Sequence, residues 1–205
     1  AETLDEFFDI GYAFTGGLFP AGNRLGIVSI SGGVGILMSD YAAKLGLDVS
    51  PLSDAAQAKV KDIVPFAGSR NPVDITGQAI YQPKILEQCL DIMIEEGAHD
   101  VIVVYVAGLT SLEYLKNAGL IRIREKHPTA AIIISAAVEE ETRELFDDLN
   151  YLVLPDPTRA VRAAAAMMRL GQGYARAEPP LPPSLAAPIA IPAAMPNEVE
   201  AKRIL

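Results

Sequence analysis

The chain contains few of the residues on which disulfides, metal centres and histidine-dependent catalysis rely. Its 205 residues include no tryptophan, one cysteine (Cys89) and two histidines (His99 and His127). A single cysteine cannot form an internal disulfide and fits a reducing compartment, so we expect a cytoplasmic protein. Cys89 lies among apolar residues of a predicted helix, which favours a buried structural thiol. Without a Cys/His cluster or a carboxylate-rich loop, the sequence predicts no metal site.

Positive charge and long apolar runs are also scarce. The chain has 17 Lys and Arg residues against 26 Asp and Glu residues, which gives a net charge of −9. An acidic surface without a basic stripe repels nucleic acid, so we expect no nucleic-acid partner. The apolar runs have the length of strands and are too short to cross a membrane. Half of the residues are hydrophobic, which is the composition of a globular domain with a sizeable core.

Short apolar runs alternate with amphipathic segments along most of the chain. The run Val101–Val106 has no polar alternation, which is typical of a strand that is covered on both faces in a parallel sheet. We therefore predict an α/β fold, a three-layer, doubly wound, mostly parallel sheet of the flavodoxin-like kind, over residues 20–172. The predicted strands are 25–30, 47–49, 101–106, 131–134 and 151–154.

Capping residues predict where the helices begin. Thr3 with Glu6 forms a capping box that opens a helix within residues 1–19. The helix after the first strand is expected to bury Val34, Leu37, Met38, Tyr41 and Leu45 on one face. Further helices are predicted from Asp54, from Pro83 to Glu96, from Thr110 to about Lys126, from Glu139 to Leu149 and from Asp156 to about Gly171.

The composition changes after Gly173. Residues 179–196 hold seven of the fifteen prolines, which predicts a semi-extended linker over 173–196. Asn197 with Glu200 then has the pattern of a new helix start. We expect residues 197–205 to open a following domain.

A glycine-rich turn follows the first predicted strand and carries the main functional signal. The segment comprises Ser31, Gly32, Gly33, Val34 and Gly35, and an amphipathic helix begins at once. The free N–H groups and the positive dipole end of such a helix form an anion site, for which phosphate is the usual ligand. We predict phosphate binding at residues 31–35, and tight helix–sheet packing is the alternative use of these glycines.

Several chemistries are disfavoured at this turn. A Walker loop needs a lysine that is absent here, and a dinucleotide fingerprint needs a small residue where Met38 stands. Ser31 resembles a nucleophile at a strand-to-helix turn, but that role requires a histidine base. His99 and His127 each precede a predicted strand and so belong to the opposite edge of the sheet, where we expect solvated loop residues. The sequence thus predicts no catalytic residue.

The segment from Asn71 to Asp74 is a second candidate. Pro72 biases Asn71 away from helical conformation, so a rigid loop or a short strand is expected. Asn71 and Asp74 either present polar groups to a ligand or an adjoining domain, or form an Asx-type turn with a purely structural role.

These features together resemble a known family, the NDP-forming acyl-CoA synthetases, which are relatives of succinyl-CoA synthetase. The similar motifs are the glycine turn, a Gly-Leu…Leu-Ser…Gln pattern and an Asn-Pro-Val-Asp motif. They stand here at Gly32–Gly35, at Gly46, Leu47, Leu52, Ser53 and Gln57, and at Asn71–Asp74. The leading TLDEFFDIGYAF resembles the helix that leaves a preceding domain, and the terminal NEVEAKRIL resembles the opening helix of an ATP-grasp domain.

The resemblance implies a multi-domain ligase that makes an acyl-CoA from a carboxylic acid, CoA and ATP or GTP. It implies an acyl phosphate and a histidine that carries the phosphoryl group within a Ser-His-Thr-Gly-type segment. Neither His99 nor His127 stands in such a segment, so the resemblance assigns this chain to the second flavodoxin-like ligase domain. Residues 31–35 would then supply one of two helix N-termini around the phosphohistidine.

The same resemblance defines the expected cofactors and partners. The domain alone would bind no cofactor, while the full enzyme would use CoA, ATP or GTP, and Mg²⁺. Its partners would be the CoA-binding, phosphohistidine-bearing and ATP-grasp domains, with a homo-oligomer also allowed. Two alternatives stay open: a non-catalytic regulatory or docking domain of a ligase-like protein acetyltransferase, and a stand-alone nucleotide- or flavin-binding protein.

Overall fold

A five-stranded parallel sheet forms the centre of the computed structural model, which describes residues 1–107, 112–176 and 197–204. The strand order is β2-β1-β3-β4-β5, which is the flavodoxin-like order. This confirms the predicted fold class. The strands are β1 (Leu25–Ser29), β2 (Val73–Asp74), β3 (Val101–Ala107), β4 (Ile132–Ala136) and β5 (Leu152–Leu154).

Helices cover both faces of the sheet. They are α1 (Leu4–Thr15), α2 (Gly32–Lys44), α3 (Asp54–Ile63), α4 (Gln78–Tyr81), α5 (Lys84–Glu96), α6 (Leu112–Asn117), α7 (Leu120–Lys126), α8 (Glu140–Asp148), α9 (Pro157–Ala175) and α10 (Glu198–Ile204). One core lies between the sheet and the helices α3, α5, α7 and α8, and a second lies between the sheet and α1, α2 and α9. No helix in the described part of the chain is both long and apolar enough to cross a membrane.

The predicted strand at 47–49 is wrong. Asp48 forms only an isolated bridge with Arg24, and the edge strand is β2 instead. The side chain of Asn71 explains the difference, because its amide bonds the backbone of β1 at Leu25 and Ile27. It thereby occupies positions on β1 that a longer neighbouring strand would need.

The buried face of α2 also differs from the prediction. Gly35, Met38 and Ala42 face the core, whereas Leu37 is 49% exposed and its neighbour Ile36 is 62% exposed. The predicted helical period was correct, but an exposed leucine on a helix cannot be distinguished from a buried one by spacing alone.

The helix starts follow the predicted caps with a few changes. Asp156 caps α9, which continues to Ala175, beyond the predicted end near Gly171. The predicted helix up to Lys126 is two helices, since Gly119 adopts a left-handed backbone with φ of 76° between α6 and α7. The helix α4 was not predicted.

Some predictions fall on residues that the structure does not describe. Thr110 of the predicted capping box lies outside the described residues, as do residues 177–196 of the predicted linker and Leu205. Asn197 and Glu200 do form a reciprocal cap, with both bonds at 3.0 Å. This confirms the predicted helix start, while the assignment of a further domain remains a prediction.

Candidate functional site

The glycine turn, residues 31–35, joins β1 to α2 at the carboxyl edge of the sheet. Ser31 is the N-cap, with φ of −138° and ψ of 115°, and its side chain makes no capping bond. The Ser31 N–H donates to Ser29 Oγ at 3.0 Å, and the Gly35 N–H donates to the Ser31 carbonyl at 3.0 Å. Two of the five predicted donors are therefore already used within the protein.

The remaining three donors are Gly32, Gly33 and Val34. Their N–H groups belong to the first turn of α2, where no carbonyl precedes them in the helix. No residue in the described part of the chain accepts a hydrogen bond from them. The structure thus leaves three adjacent backbone donors at the positive end of a 13-residue helix.

Ser29 holds this turn against the sheet. Its hydroxyl donates to the Ser31 carbonyl at 2.7 Å and accepts from the Ser31 N–H, and the residue is fully buried at the end of β1. The sequence pattern did not predict this role for Ser29. The available signal was a hydroxyl at the last position of an apolar strand, directly before the cap.

The three glycines of the turn have different surroundings. A Cβ atom on Gly35 would lie 3.2 Å from Pro72 Cβ, so this glycine allows close packing of α2 on the loop before β2. A Cβ atom on Gly33 would meet nothing within 4 Å. Only Gly33 can therefore be enlarged without a steric conflict inside the domain.

Asp74 lies beside the start of α2. Its Oδ1 accepts the Thr76 N–H at 2.9 Å, and its Oδ2 lies 2.8 Å from the position that a Cβ on Gly32 would occupy. The Asx-type turn that was one alternative for this residue is present. The second carboxylate oxygen remains directed at the glycine turn, so the structure brings Asp74 to the candidate phosphate site.

Asn71 has a different role. Its Oδ1 accepts the Ile27 N–H at 3.0 Å, and its Nδ2 donates to the carbonyls of Leu25 and Ser50 at 2.9 and 3.1 Å. The residue is buried, and its amide is satisfied by backbone groups. The structure therefore does not present the Asn71 side chain to a ligand.

The two histidines lie at the opposite, amino edge of the sheet, immediately before β3 and β4, as predicted. The prediction that they are solvated is wrong, since both are partly buried. His99 Nδ1 lies 3.1 Å from the Met93 carbonyl, and burial lowers the pKa of this imidazole. His127 Nε2 lies 2.6 Å from Asp91 Oδ1. Neither ring can reach the glycine turn.

No family model matches the chain. Comparison with individual known proteins, however, finds relatives that are all CoA ligases. The alpha subunit of acetate–CoA ligase [ADP-forming] II from Pyrococcus furiosus is 26% identical over 179 residues, which is 82% of this chain and 38% of the relative. The 4-hydroxybutyrate–CoA ligase [ADP-forming] of Nitrosopumilus maritimus is 28% identical over 171 residues, covering 82% of this chain and 24% of the relative. The chain is thus similar in sequence to ADP-forming acyl-CoA ligases.

A solved structure of a synthetase has the same fold. The dinucleotide forming acetyl-coenzyme A synthetase 1 of Ca. Korarchaeum cryptofilum, in complex with phosphate and ADP, matches with a TM-score of 0.71 and 23% identity. The match covers 85% of this chain and 39% of that one. The chain thus spans about two fifths of the length of its acetyl-CoA synthetase relatives.

Two further groups lie away from the glycine turn. Cys89 is fully buried in α5, and burial raises the pKa of its thiol to about 12, which confirms the predicted structural thiol. Asp91, Glu95 and His127 bring three ligand atoms within 4.8 Å of one another. Lys126 Nζ already lies 2.6 and 2.8 Å from the two carboxylates, so a protein cation balances their charge.

Proposed function

We propose that this chain forms one domain of an NDP-forming acyl-CoA synthetase, which joins a carboxylic acid to CoA with ATP or GTP. Its glycine turn would contribute a helix N-terminus to the cradle of a phosphohistidine that belongs to another domain. The observation that carries this proposal is the set of three N–H groups at Gly32, Gly33 and Val34, from which no residue in the described part of the chain accepts a hydrogen bond.

The positive electrostatic potential and the fixed N–H donors of the turn favour binding of a phosphoryl group while it is being transferred. The dipole of a helix such as α2 is equivalent to about half a positive charge at its N-terminus. Fixed backbone donors need no reorganisation when negative charge develops on the phosphoryl oxygens. Ser29 supports this geometry because its two bonds to Ser31 fix the first turn against β1. No cationic side chain is required for this binding mode.

Asp74 favours a phosphoryl group on a histidine over a free phosphate ion. A carboxylate beside the turn repels a free anion, because like charges at short range are unfavourable. An imidazole N–H could instead donate to the open Oδ2 of Asp74 while its phosphoryl group meets the N–H groups of α2. This combination is consistent with a carrier histidine supplied by a neighbouring domain.

Exposed apolar residues support docking to other domains. Ile36 and Leu37 directly follow the glycine turn on α2 and are 62% and 49% exposed. On α1, Leu4, Phe7 and Phe8 form an exposed stripe with i, i+3 and i+4 spacing. Large apolar side chains grouped in this way mark interaction surfaces. The CoA-binding, phosphohistidine-bearing and ATP-grasp domains are the partners we propose.

Replacing Gly33 by valine in the full synthetase tests the cradle. The added side chain enters open space, so we expect the fold to survive while access of the phosphoryl group is blocked. The backbone N–H groups are retained in the variant, but a phosphoryl group held away from them loses their contacts, and loss of one such contact typically lowers the rate by about 10²-fold or more. The measurement is phosphohistidine formation from radiolabelled ATP, with circular dichroism to verify folding.

Gly173→Val is the matched control, because Gly173 also lies in a helix with nothing near its Cβ position. It should leave phosphohistidine formation unchanged. Equal rates for Gly33→Val and the control would argue against the cradle. Substantial ligase turnover by the 205-residue chain alone would contradict the assignment of the carrier histidine to another domain.

A further inference from the structure

Two carboxylates and an imidazole meet between α5 and α7, at the amino edge of the sheet. Asp91 and Glu95 lie about one turn apart on α5, and His127 directly follows the last residue of α7. One ligand atom from each of these three side chains lies within 4.8 Å of the other two. The glycine turn is at the opposite edge of the sheet, so the function proposed above does not use this cluster.

The fold holds two members of the cluster in place. The helices α5 and α7 pack in the same core, through Leu90 and Ile123 among others. The His127 N–H donates to the Ile123 carbonyl at 2.8 Å, and the His127 carbonyl accepts from the Ala130 N–H at 3.2 Å. Only 15% of the His127 side chain is exposed, and its Nε2 lies 2.6 Å from Asp91 Oδ1. The imidazole and one carboxylate are therefore preorganised on rigid elements.

The donor set favours a first-row transition metal over other common cations. Mg²⁺ and Ca²⁺ prefer oxygen ligands alone, whereas Zn²⁺ accepts an imidazole nitrogen together with carboxylate oxygens. Zinc lies about 2.0–2.2 Å from such ligand atoms, so atoms in a tetrahedral arrangement are about 3.4 Å apart. Rotation of the Glu95 side chain, which is 48% exposed, brings the cluster to that spacing. Three protein ligands leave the fourth position to water.

A protein cation already occupies the space between the two carboxylates. Lys126 Nζ lies 2.6 Å from Asp91 Oδ2 and 2.8 Å from Glu95 Oε1. The lysine side chain is exposed and can turn into solvent, and exposed ion pairs of this kind contribute little to stability. A divalent ion attracts both carboxylates more strongly than one ammonium group does, and it gains His127 as a third ligand.

We propose that Asp91, Glu95 and His127 bind a divalent transition metal such as Zn²⁺, which displaces Lys126 and links α5 to α7. This site is separate from the glycine turn and does not depend on the proposed synthetase function. Because the ion binds the folded arrangement, it stabilises the domain. The sequence did not indicate the site, since His127 lies 36 positions after Asp91.

Isothermal titration of the 205-residue chain with zinc chloride and with magnesium chloride tests this site. We expect Zn²⁺ to bind with a Kd below about 100 μM and Mg²⁺ to bind at least about tenfold more weakly. His127→Gln should weaken Zn²⁺ binding about tenfold or more, because it removes the nitrogen ligand. Lys126→Met should tighten Zn²⁺ binding about threefold or more, because it removes the competing ammonium group. Zn²⁺ should also raise the melting temperature of the wild type more than that of His127→Gln.

Glu140→Gln is the matched control for Glu95→Gln. Glu140 is an exposed carboxylate in the first turn of α8 and lies outside the cluster. Glu95→Gln should weaken Zn²⁺ binding, whereas Glu140→Gln should leave the affinity unchanged. Glu95 and Lys126 are both exposed, so their variants keep the test decisive if circular dichroism shows that His127→Gln does not fold.

Four outcomes would overturn the proposal. Zn²⁺ fails to bind, folded His127→Gln binds it as tightly as the wild type, or Lys126→Met binds it no more tightly than the wild type. The fourth is an equal loss of affinity in Glu95→Gln and Glu140→Gln, which would indicate attraction to the overall negative charge of the chain. None of these results bears on phosphohistidine formation, so the two proposals fail separately.

Discussion

At the scale of single residues, buried polar side chains determine features that the sequence pattern does not reveal. Asn71 was a candidate ligand residue, yet its amide bonds Leu25, Ile27 and Ser50 in the interior. Hydrogen bonds of this kind depend on residues 21 to 46 positions apart in sequence. Local spacing therefore could not distinguish a ligand-binding asparagine from a structural one.

Replacing Asn71 by alanine should destabilise the domain strongly. The change leaves the Ile27 N–H and the Leu25 carbonyl without their partners in the interior of the domain. We expect a loss of about 2–4 kcal/mol in the free energy of unfolding, measured by denaturant titration. Asn23→Ala is the control, since Asn23 is exposed and makes only a 3.4 Å bond, and its effect should stay within about 0.5 kcal/mol. Similar stabilities of the two variants would contradict the structural role of Asn71.

His99 should make the stability of the domain depend on pH. Burial lowers the pKa of its imidazole, and Nε2 is buried without a hydrogen-bond partner in the described structure. The unfolded chain therefore binds the proton more readily than the folded chain. This contribution to stability is complete above the unfolded pKa of about 6.5 and is lost as the pH falls through and below that value.

Comparison of His99→Leu with the wild type isolates this effect. The melting temperature of the wild type should fall more steeply between pH 7.5 and pH 5, a window chosen to span the ordinary histidine pKa of about 6.5. The carboxylates with lowered pKa that do not interact with His99, such as Glu87 and Asp91, contribute equally to both proteins. Parallel pH profiles for the two proteins would show that His99 is not the titrating group.

At the scale of elements, α1 shows how a helix outside the predicted core becomes part of the domain. The Arg159 guanidinium donates two bonds to the buried Asp9 carboxylate, at 2.7 and 2.6 Å, and so joins α1 to α9. Ala13 is buried in the same interface. The capping box predicted where α1 begins, but its partner 150 residues later was not visible in the sequence.

Asp9→Asn should loosen α1 selectively. The amide cannot reproduce the paired bonds of a carboxylate to a guanidinium, and because Arg159 is one-third exposed we expect a cost of only about 1–2 kcal/mol. Hydrogen exchange should become faster in α1 while the amides of β1 and β3 keep their protection. Unchanged exchange in α1 would show that apolar packing alone holds this helix.

At the scale of the whole molecule, the fold was predictable because continuous apolar strands and capped helices are strong local signals. The uninterrupted runs in β3 and β4 indicated a sheet covered on both sides. The short β2 was not identified as the edge strand, because a strand of two residues is too short to show an alternating pattern of apolar and polar side chains. The glycine turn was located correctly as a strand-to-helix junction. Which of its N–H groups remain free could only be determined from the bonds of Ser29 and Ser31.

The central claim is that three backbone N–H groups at the start of α2 bind a phosphoryl group carried by an imidazole. The most direct measurement is a titration of the ¹⁵N-labelled chain with phosphohistidine, followed by amide chemical shifts. We predict the largest shifts at Gly32, Gly33 and Val34, and their loss in the Gly33→Val variant. Shifts that are absent from these three amides, or that persist unchanged in the variant, would contradict the claim.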